Sequence, residues 1–220
     1  MSATRETIAA AEIHTGTIIF IHGLGQNTQT WRDVIIHPLA PRFSHVEWIL
    51  PQASDKMVTF DDKMVTFDDA MEPSWFNIST LPPGDDKFDE PAIQESIAII
   101  EEHILAQIQR GIDPRKIVLV GFSQGASLSL MVGLKTSYNP GGIVSLAGWI
   151  PPRARTQMIS CPDVPIIWCH GLVDNQIPIE YAEDVIRFLE DKMTSKLALK
   201  KYPGLAHAVD ERVVEDLGGG

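Results

Sequence analysis

Cysteine is scarce: Cys161 and Cys169 are the only two in 220 residues. That is too few for a disulfide scaffold, so both are read as reduced thiols. Basic residues are outnumbered, with 18 Lys and Arg against 29 Asp and Glu and a net charge of −11. Phosphate backbones and anionic lipid select for the opposite balance, which excludes nucleic acid as an expected partner and limits any membrane contact to a transient, non-basic one. No apolar run approaches the roughly 20 residues of a membrane span, and the opening MSATRETIAAAEIHTG lacks the basic-then-apolar layout of a secretory signal. Neither a Met-Gly start nor a terminal Cys signals lipidation. A cytoplasmic protein is the expectation. The spacings H-E-x-x-H, C-x-x-C and G-x-G-x-x-G are all missing, so neither a metal nor a dinucleotide is expected, and no cofactor is called for.

What remains is an ordinary globular composition, 44% hydrophobic with 16 Gly and 15 Pro, and enough chain for one packed domain over 1–220. β-Branched and apolar runs bounded by Gly or Pro predict strands at Thr17–His22, His45–Leu50, Lys116–Gly121, Gly142–Leu146, Val164–His170 and Lys196–Tyr202. Helical periods lie between them. Ile93, Ile97, Ile100, Ile104 and Ile108 share one face of a helix opened by Asp89, Glu90 and Pro91. Ile179, Ala182, Ile186, Leu189 and Met193 form a second stripe, and 123–136 is a third helix, apolar nearly all round. Strands apolar throughout that alternate with helices predict an α/β fold, a mostly parallel central sheet with helices on both faces. One long stretch, 51–87, reads as an irregular loop and a candidate wall over a site. It contains DKMVTFD twice in tandem, at 55–61 and 62–68, too short and too few for a repeat architecture and read as a local duplication or an artefact of the gene. Gly218–Gly220 reads as a frayed tail.

The chemistry concentrates in Lys116–Gly125, KIVLVGFSQG, where a strand runs into Gly121-Phe122-Ser123-Gln124-Gly125 and then a helix. G-x-S-x-G alone arises by chance in roughly one chain in ten of this length. Between a strand and a helix it is a nucleophile elbow, a sharp turn that lifts the Ser123 hydroxyl out of the sheet and sets it before free helix N–H groups. A serine needs a base to take its proton and an acid to orient the base, in the chain order Ser, Asp, His. Asp174 lies just past one strand and His207 just past the last, and both are the candidates. His170 is read as a core or turn residue; His14, His37, His45 and His103 have no partner pattern. After the first strand, His22-Gly23-Leu24-Gly25 offers Leu24 N–H as a second donor beside Gln124 N–H, together an oxyanion hole.

With these residues in place the chain resembles the acyl-protein thioesterase and carboxylesterase family of α/β-hydrolases, a small branch without a lid. The matching pieces are FIHGLG at 20–25, PSWF at 73–76, VGFSQG at 120–125, LAGWIP at 146–151, HGLVDNQIP at 170–178 and PGLAH at 203–207. The resemblance implies Ser123 as nucleophile, His207 as base, Asp174 as its orienting acid, and Leu24 and Gln124 as oxyanion donors. It implies substrates with an acyl chain in ester or thioester linkage, S-palmitoyl proteins and lysophospholipids among them. The chain departs from the family in four places: Gln26 stands where Asp is usual, Ala126 replaces the second glycine of GFSQGG, the second DKMVTFD lengthens the loop before PSWF, and the helix after His207 is short.

About 17 residues separate the strands at 142–146 and 164–170, too few for a helical lid domain. An open cleft is expected, with Trp31, Met71, Trp75 and Phe76 beside Leu24 as candidate acyl-chain lining. Three readings follow: a depalmitoylating thioesterase; a broad carboxylesterase or lysophospholipase on small lipid esters; and a catalytically silent ligand-binding protein of the same fold, against which the complete triad speaks.

Overall fold

The structure, a computed structural model, describes residues 4–58, 70–84, 89–156, 163–190 and 192–219. Seven strands form one sheet: β1 (Arg5–Ile8), β2 (Gly16–Ile21), β3 (Val46–Pro51), β6 (Ile117–Phe122), β7 (Gly142–Leu146), β8 (Ile166–Gly171) and β9 (Leu197–Tyr202). Two more, β4 (Asp55–Val58) and β5 (Ala70–Pro73), pair separately. The sheet order is β1-β3-β2-β6-β7-β8-β9, parallel throughout except for β1, which runs antiparallel to β3. Helices α1 (Thr28–Trp31), α2 (His37–Leu39), α3 (Glu90–Gln109), α4 (Gln124–Gly133), α5 (Pro152–Arg155), α6 (Ile179–Glu190) and α7 (Glu211–Leu217) surround it.

Successive side chains on a strand point to opposite faces, and the burial follows that period. Ile19 and Ile21 on β2, with Ile117 and Leu119 on β6, meet α3, α4 and α6 on one face. Phe20, Val120 and Phe122 join Trp31, Leu39 and Val213 on the other. The isoleucine stripe of α3 enters the first layer with Ile93, Ile97, Ile100 and Ile104 all buried. Each such side chain contributes about 1.5–3 kcal/mol of burial. Asp89 caps this helix by accepting from Ala92 N–H, and Pro91 occupies its first turn, where a missing N–H costs nothing.

The structure differs from the sequence expectations in several places. The edge strand β1 escaped notice because its residues alternate only between exposed and half-buried. Residues 28–43 are helical, and the Trp31, Ile35 and Leu39 spacing carries the period; Pro38 and Pro41 interrupt it, and the chain passes through a π turn at Arg32–Ile36 and a 3-10 turn at Ala40–Phe43. The stretch read as one irregular loop holds a hairpin, with Met57 of β4 opposite Met71 of β5. The second DKMVTFD copy, the end of the first, and Cys161 lie outside the described residues. Met193 packs on the core just beyond α6. Gly218, expected in a frayed tail, caps α7: its N–H donates to Val214 and Glu215 carbonyls, and Gly219 takes φ +84°. Among the described residues, no helix is long and apolar enough to cross a membrane.

Candidate active site

β6 ends at Phe122 and α4 begins at Gln124, leaving Ser123 alone at the corner with φ 54° and ψ −117°. Two glycines make that corner possible. A Cβ on Gly121 would lie 2.2 Å from the Gly125 carbonyl oxygen, and one on Gly125 would lie 2.0 Å from that of Ile21, so neither position admits a side chain. The spacing of the motif is thus fixed by backbone approaching backbone, at the turn itself and against the neighbouring strand β2.

Asp174 follows the end of β8 and His207 follows the end of β9, and the two loops are stitched together. Leu172 N–H donates to the Tyr202 carbonyl at 3.0 Å and Val173 N–H to that of Leu205 at 3.1 Å. The carboxylate of Asp174 is fully buried and all its oxygens are used: Oδ1 accepts from Gln176 and Ile177 N–H, both at 2.9 Å, and Oδ2 faces His207 Nδ1 at 2.7 Å. That fixes the imidazole as an Nδ1–H tautomer, with Nε2 facing Ser123 Oγ at 2.9 Å. Three side chains separated by 33 and 84 positions form one continuous line. The Phe122 ring packs against the His207 ring, centroids 4.8 Å apart and planes tilted by 45°. His170 is a core residue, as expected; its Nε2–H donates to the Ile177 carbonyl at 2.7 Å, and burial lowers its pKa.

The two expected oxyanion donors stand on separate elements. Gln124 is the first residue of α4, where an N–H has no helical acceptor. Its side chain is buried and holds the segment before α3 in place: Oε1 accepts from Trp75 N–H at 2.9 Å, while Nε2 donates to the Phe76 carbonyl at 2.6 Å and Ser74 Oγ at 3.1 Å. The loop Gly23-Leu24-Gly25 is pinned from below. His22 Nδ1–H donates to the Gly23 carbonyl at 2.7 Å, and His22 Nε2 accepts Ala53 N–H at 3.0 Å. Burial pushes the His22 pKa down to about 4, which keeps that acceptor nitrogen unprotonated near neutral pH.

Ser123 and His207 open on a pocket of about 420 Å³ whose apolar wall includes Leu24, Trp31, Val34, Ile78, Leu81 and Val209. This size is that of small-molecule sites. A second cavity, also about 420 Å³, lies at the other end of β2 and β6 over Ile18 and Val118, and none of Ser123, Asp174 and His207 lines it. Of the four residues expected to line the acyl site, Trp31 does so. Met71 does not: it sits on the hairpin, 58% exposed, away from the pocket. Trp75 is a buried pillar 1% exposed, its indole N–H donating to the His22 carbonyl at 2.9 Å. Phe76 is buried against Trp149, ring centroids 6.4 Å apart, outside the pocket. Both aromatic side chains are committed to supporting the loops around Ser123. The sequence reading missed Ile78, Leu81, Val34 and Val209: Ile78, Leu81 and Val209 are loop residues with no periodic pattern to mark them, and Val34 stands beside Ile35 and Ile36, an apolar run that reads as core.

A family model described as phospholipase/carboxylesterase matches residues 2–218. The chain belongs to the phospholipase/carboxylesterase family. Acyl-protein thioesterase 1 of Cryptococcus neoformans var. neoformans is 34% identical to it over 227 residues, covering 96% of this chain and 92% of that protein. Acyl-protein thioesterase 1 of Yarrowia lipolytica is 30% identical over 215 residues, with the same two coverages of 96% and 92%. The crystal structure of Arabidopsis thaliana SOBER1 superposes with a TM-score of 0.81 at 25% identity, covering 93% of this chain and 96% of that one. The fold is the α/β-hydrolase fold, and among the described residues no separate lid stands over the sheet. One departure from the family pattern has a local cause: Ala126 is accommodated because Gly148 faces it, where a methyl group would come within 2.7 Å of the Ala126 Cβ.

Proposed function

We propose that this protein is a serine hydrolase that cleaves acyl thioesters and esters through a covalent acyl-enzyme, with S-acylated proteins as its principal substrates. The observation that carries this reading is the hydrogen-bonded line from Asp174 through His207 to Ser123, opening on an apolar pocket. The acyl-protein thioesterases of Cryptococcus neoformans and Yarrowia lipolytica support the choice of substrate by their names.

In the proposed reaction His207 Nε2 takes the Ser123 hydroxyl proton as Oγ attacks the acyl carbonyl. The tetrahedral oxyanion is received by the N–H groups of Leu24 and Gln124. Collapse breaks the bond to the leaving sulfur or oxygen, which departs with the proton from His207 and leaves the acyl group on Ser123. Water then loses a proton to His207 and attacks the acyl-enzyme, and the second collapse returns the proton to Ser123 and frees the fatty acid. Asp174 stabilises the transient His207 cation and holds its tautomer. The apolar wall takes the chain, and among the described residues no lid domain stands between Ser123 and an acyl group still attached to a protein surface.

A broad carboxylesterase or lysophospholipase is the second reading, favoured by the family description itself. The deciding experiment compares kcat/KM across short to long p-nitrophenyl acylates and on a palmitoyl-peptide thioester. Efficiency rising with chain length and high on the thioester is the expected result. A steep preference for short oxyesters overturns depalmitoylation, and the absence of any hydrolysis of these substrates overturns the hydrolase reading. Ser123→Ala is expected to lower kcat on the order of 10³-fold or more while the protein stays folded.

A further inference from the structure

We propose that Gln26 is the positioning residue of the oxyanion site, setting the Leu24 amide and tying it to the aromatic stack behind His207. The inference rests on the hydrolase reading above. It begins with three successive amides. Gly23 N–H donates to Gln26 Oε1 at 2.8 Å, and Gly25 N–H donates to the Pro73 carbonyl at 2.9 Å. The amide between them, that of Leu24, makes no hydrogen bond among the described residues. Fixing the two neighbours leaves the middle N–H free in a set direction, which is what a preorganised donor requires.

Gln26 reaches further than this loop. The same Oε1 accepts Trp31 Nε1–H at 3.0 Å, so two donors converge on it and the amide orientation is decided by them. The Trp31 ring packs on Phe122 at 4.9 Å, and Phe122 packs on His207 at 4.8 Å. A single neutral oxygen therefore links the donor loop to the ring that moves the proton. Gly23 is shaped to this contact, since a Cβ there would sit 2.8 Å from Gln26 Oε1. Loss of the acceptor would strand two N–H groups and let the loop turn, misplacing Leu24 without removing it.

The test is steady-state and burst kinetics on a p-nitrophenyl acylate, with rates normalised to burst amplitude so that only folded, acylating enzyme is counted. Gln26→Leu is expected to lower kcat by about 10- to 100-fold with KM within about twofold, somewhat less than the loss on removing an oxyanion donor outright. Gln26→Glu keeps an acceptor oxygen at the same reach and is expected to restore kcat to within about threefold. Trp31→Phe keeps the ring and removes only its N–H; kcat should fall about threefold, and the double variant with Gln26→Leu should be no slower than Gln26→Leu alone, because both changes break one link. Unchanged kcat in Gln26→Leu overturns the proposal. So does a rise in KM alone, which would make Gln26 a substrate contact, or a loss in Gln26→Glu as deep as that in Gln26→Leu. Should Gln26→Leu fail to fold, unchanged kcat in Trp31→Phe overturns it instead, and a fall in kcat alone supports it. An inactive wild-type protein sinks the hydrolase reading, whereas an active one indifferent to these changes sinks only this inference.

Discussion

The backbone N–H of Ser123 donates to the carbonyl of Leu146, the last residue of β7, at 2.8 Å. This bond ties the corner residue to the neighbouring strand end while its own backbone sits at φ 54°. An L-residue there carries steric strain of order 1–3 kcal/mol, tolerated because the surrounding contacts over-determine the turn.

Strain of that kind is measurable with two substitutions that both remove the hydroxyl. Ser123→Ala keeps the Cβ and the strain; Ser123→Gly releases it, at some cost in unfolded-chain entropy. Both lose the bond to His207 Nε2, so that contribution cancels. Ser123→Gly is expected to be more stable than Ser123→Ala by about 1 kcal/mol, read from guanidinium unfolding at constant m-value. An alanine variant more stable by about 0.5–1 kcal/mol, the glycine entropy cost alone, would show that the elbow stores no strain.

The elbow was legible in the sequence because its constraint is local: Gly121 and Gly125 are forced by backbone contacts within a few residues and against one adjacent strand. Five of the six predicted strands were legible because buried parallel strands are apolar on both faces; β9, half-buried at the sheet edge with Lys200 and Lys201, is not of that kind. Asp174 and His207 were candidates by chain order and strand ends, both consequences of how a parallel sheet gathers its loops at one edge, and the structure brings them into hydrogen-bonding reach of each other and of Ser123. The pocket wall was only partly legible, through Leu24 and Trp31, and the placement of Trp75 and Phe76 explains why the rest was not. Large aromatic residues beside a motif suggest a binding surface, yet here Gln124 and Ser96 hold that segment by its backbone and turn the rings into the core. Which side of a loop faces the substrate is set by such long-range bonds. No periodicity records them.

Acid stability follows from His22. Its pKa is about 4 in the folded protein, with burial as the main cause, against an ordinary value of 6.5. The unfolded chain therefore binds the proton first, and the sign is fixed: His22 favours the folded state fully above pH 6.5, and that advantage drains away as pH falls from there to about 4. Over that window the loss is about 3 kcal/mol, with burial of His103 and His170 acting in the same direction. The paired carboxylates Glu47 and Asp210 are held below their ordinary range, so their contribution goes at more acid pH and does not confuse the reading. Unfolding free energies measured from pH 7 to 4.5 should fall for the wild type and fall less for His22→Gln, which keeps a donor for Gly23 and an acceptor for Ala53. Parallel curves for the two proteins would remove His22 as the cause.

The tandem copy can be deleted with a defined expectation. Eleven residues join Val58 of β4 to Ala70 of β5, and removal of one seven-residue DKMVTFD leaves four, an ordinary hairpin loop. The cross-strand register of Met57 with Met71 is compatible with that length, so the contacts the hairpin makes at the site stay in place. Lys56 Nζ continues to donate to the Trp75 carbonyl, at 3.0 Å, and Gly25 N–H to that of Pro73, at 2.9 Å. A shorter loop costs less closure entropy, by about 1 kcal/mol for this change in length. Deletion of 62–68 should therefore raise the unfolding free energy by about that amount and leave kcat on a short p-nitrophenyl ester within about twofold. A large drop in kcat on the short ester, with the fold intact, would mean that the added residues take part in the site itself; a change confined to long acyl chains or to the palmitoyl peptide would instead mark the hairpin tip as a contact for substrate beyond the reacting carbonyl.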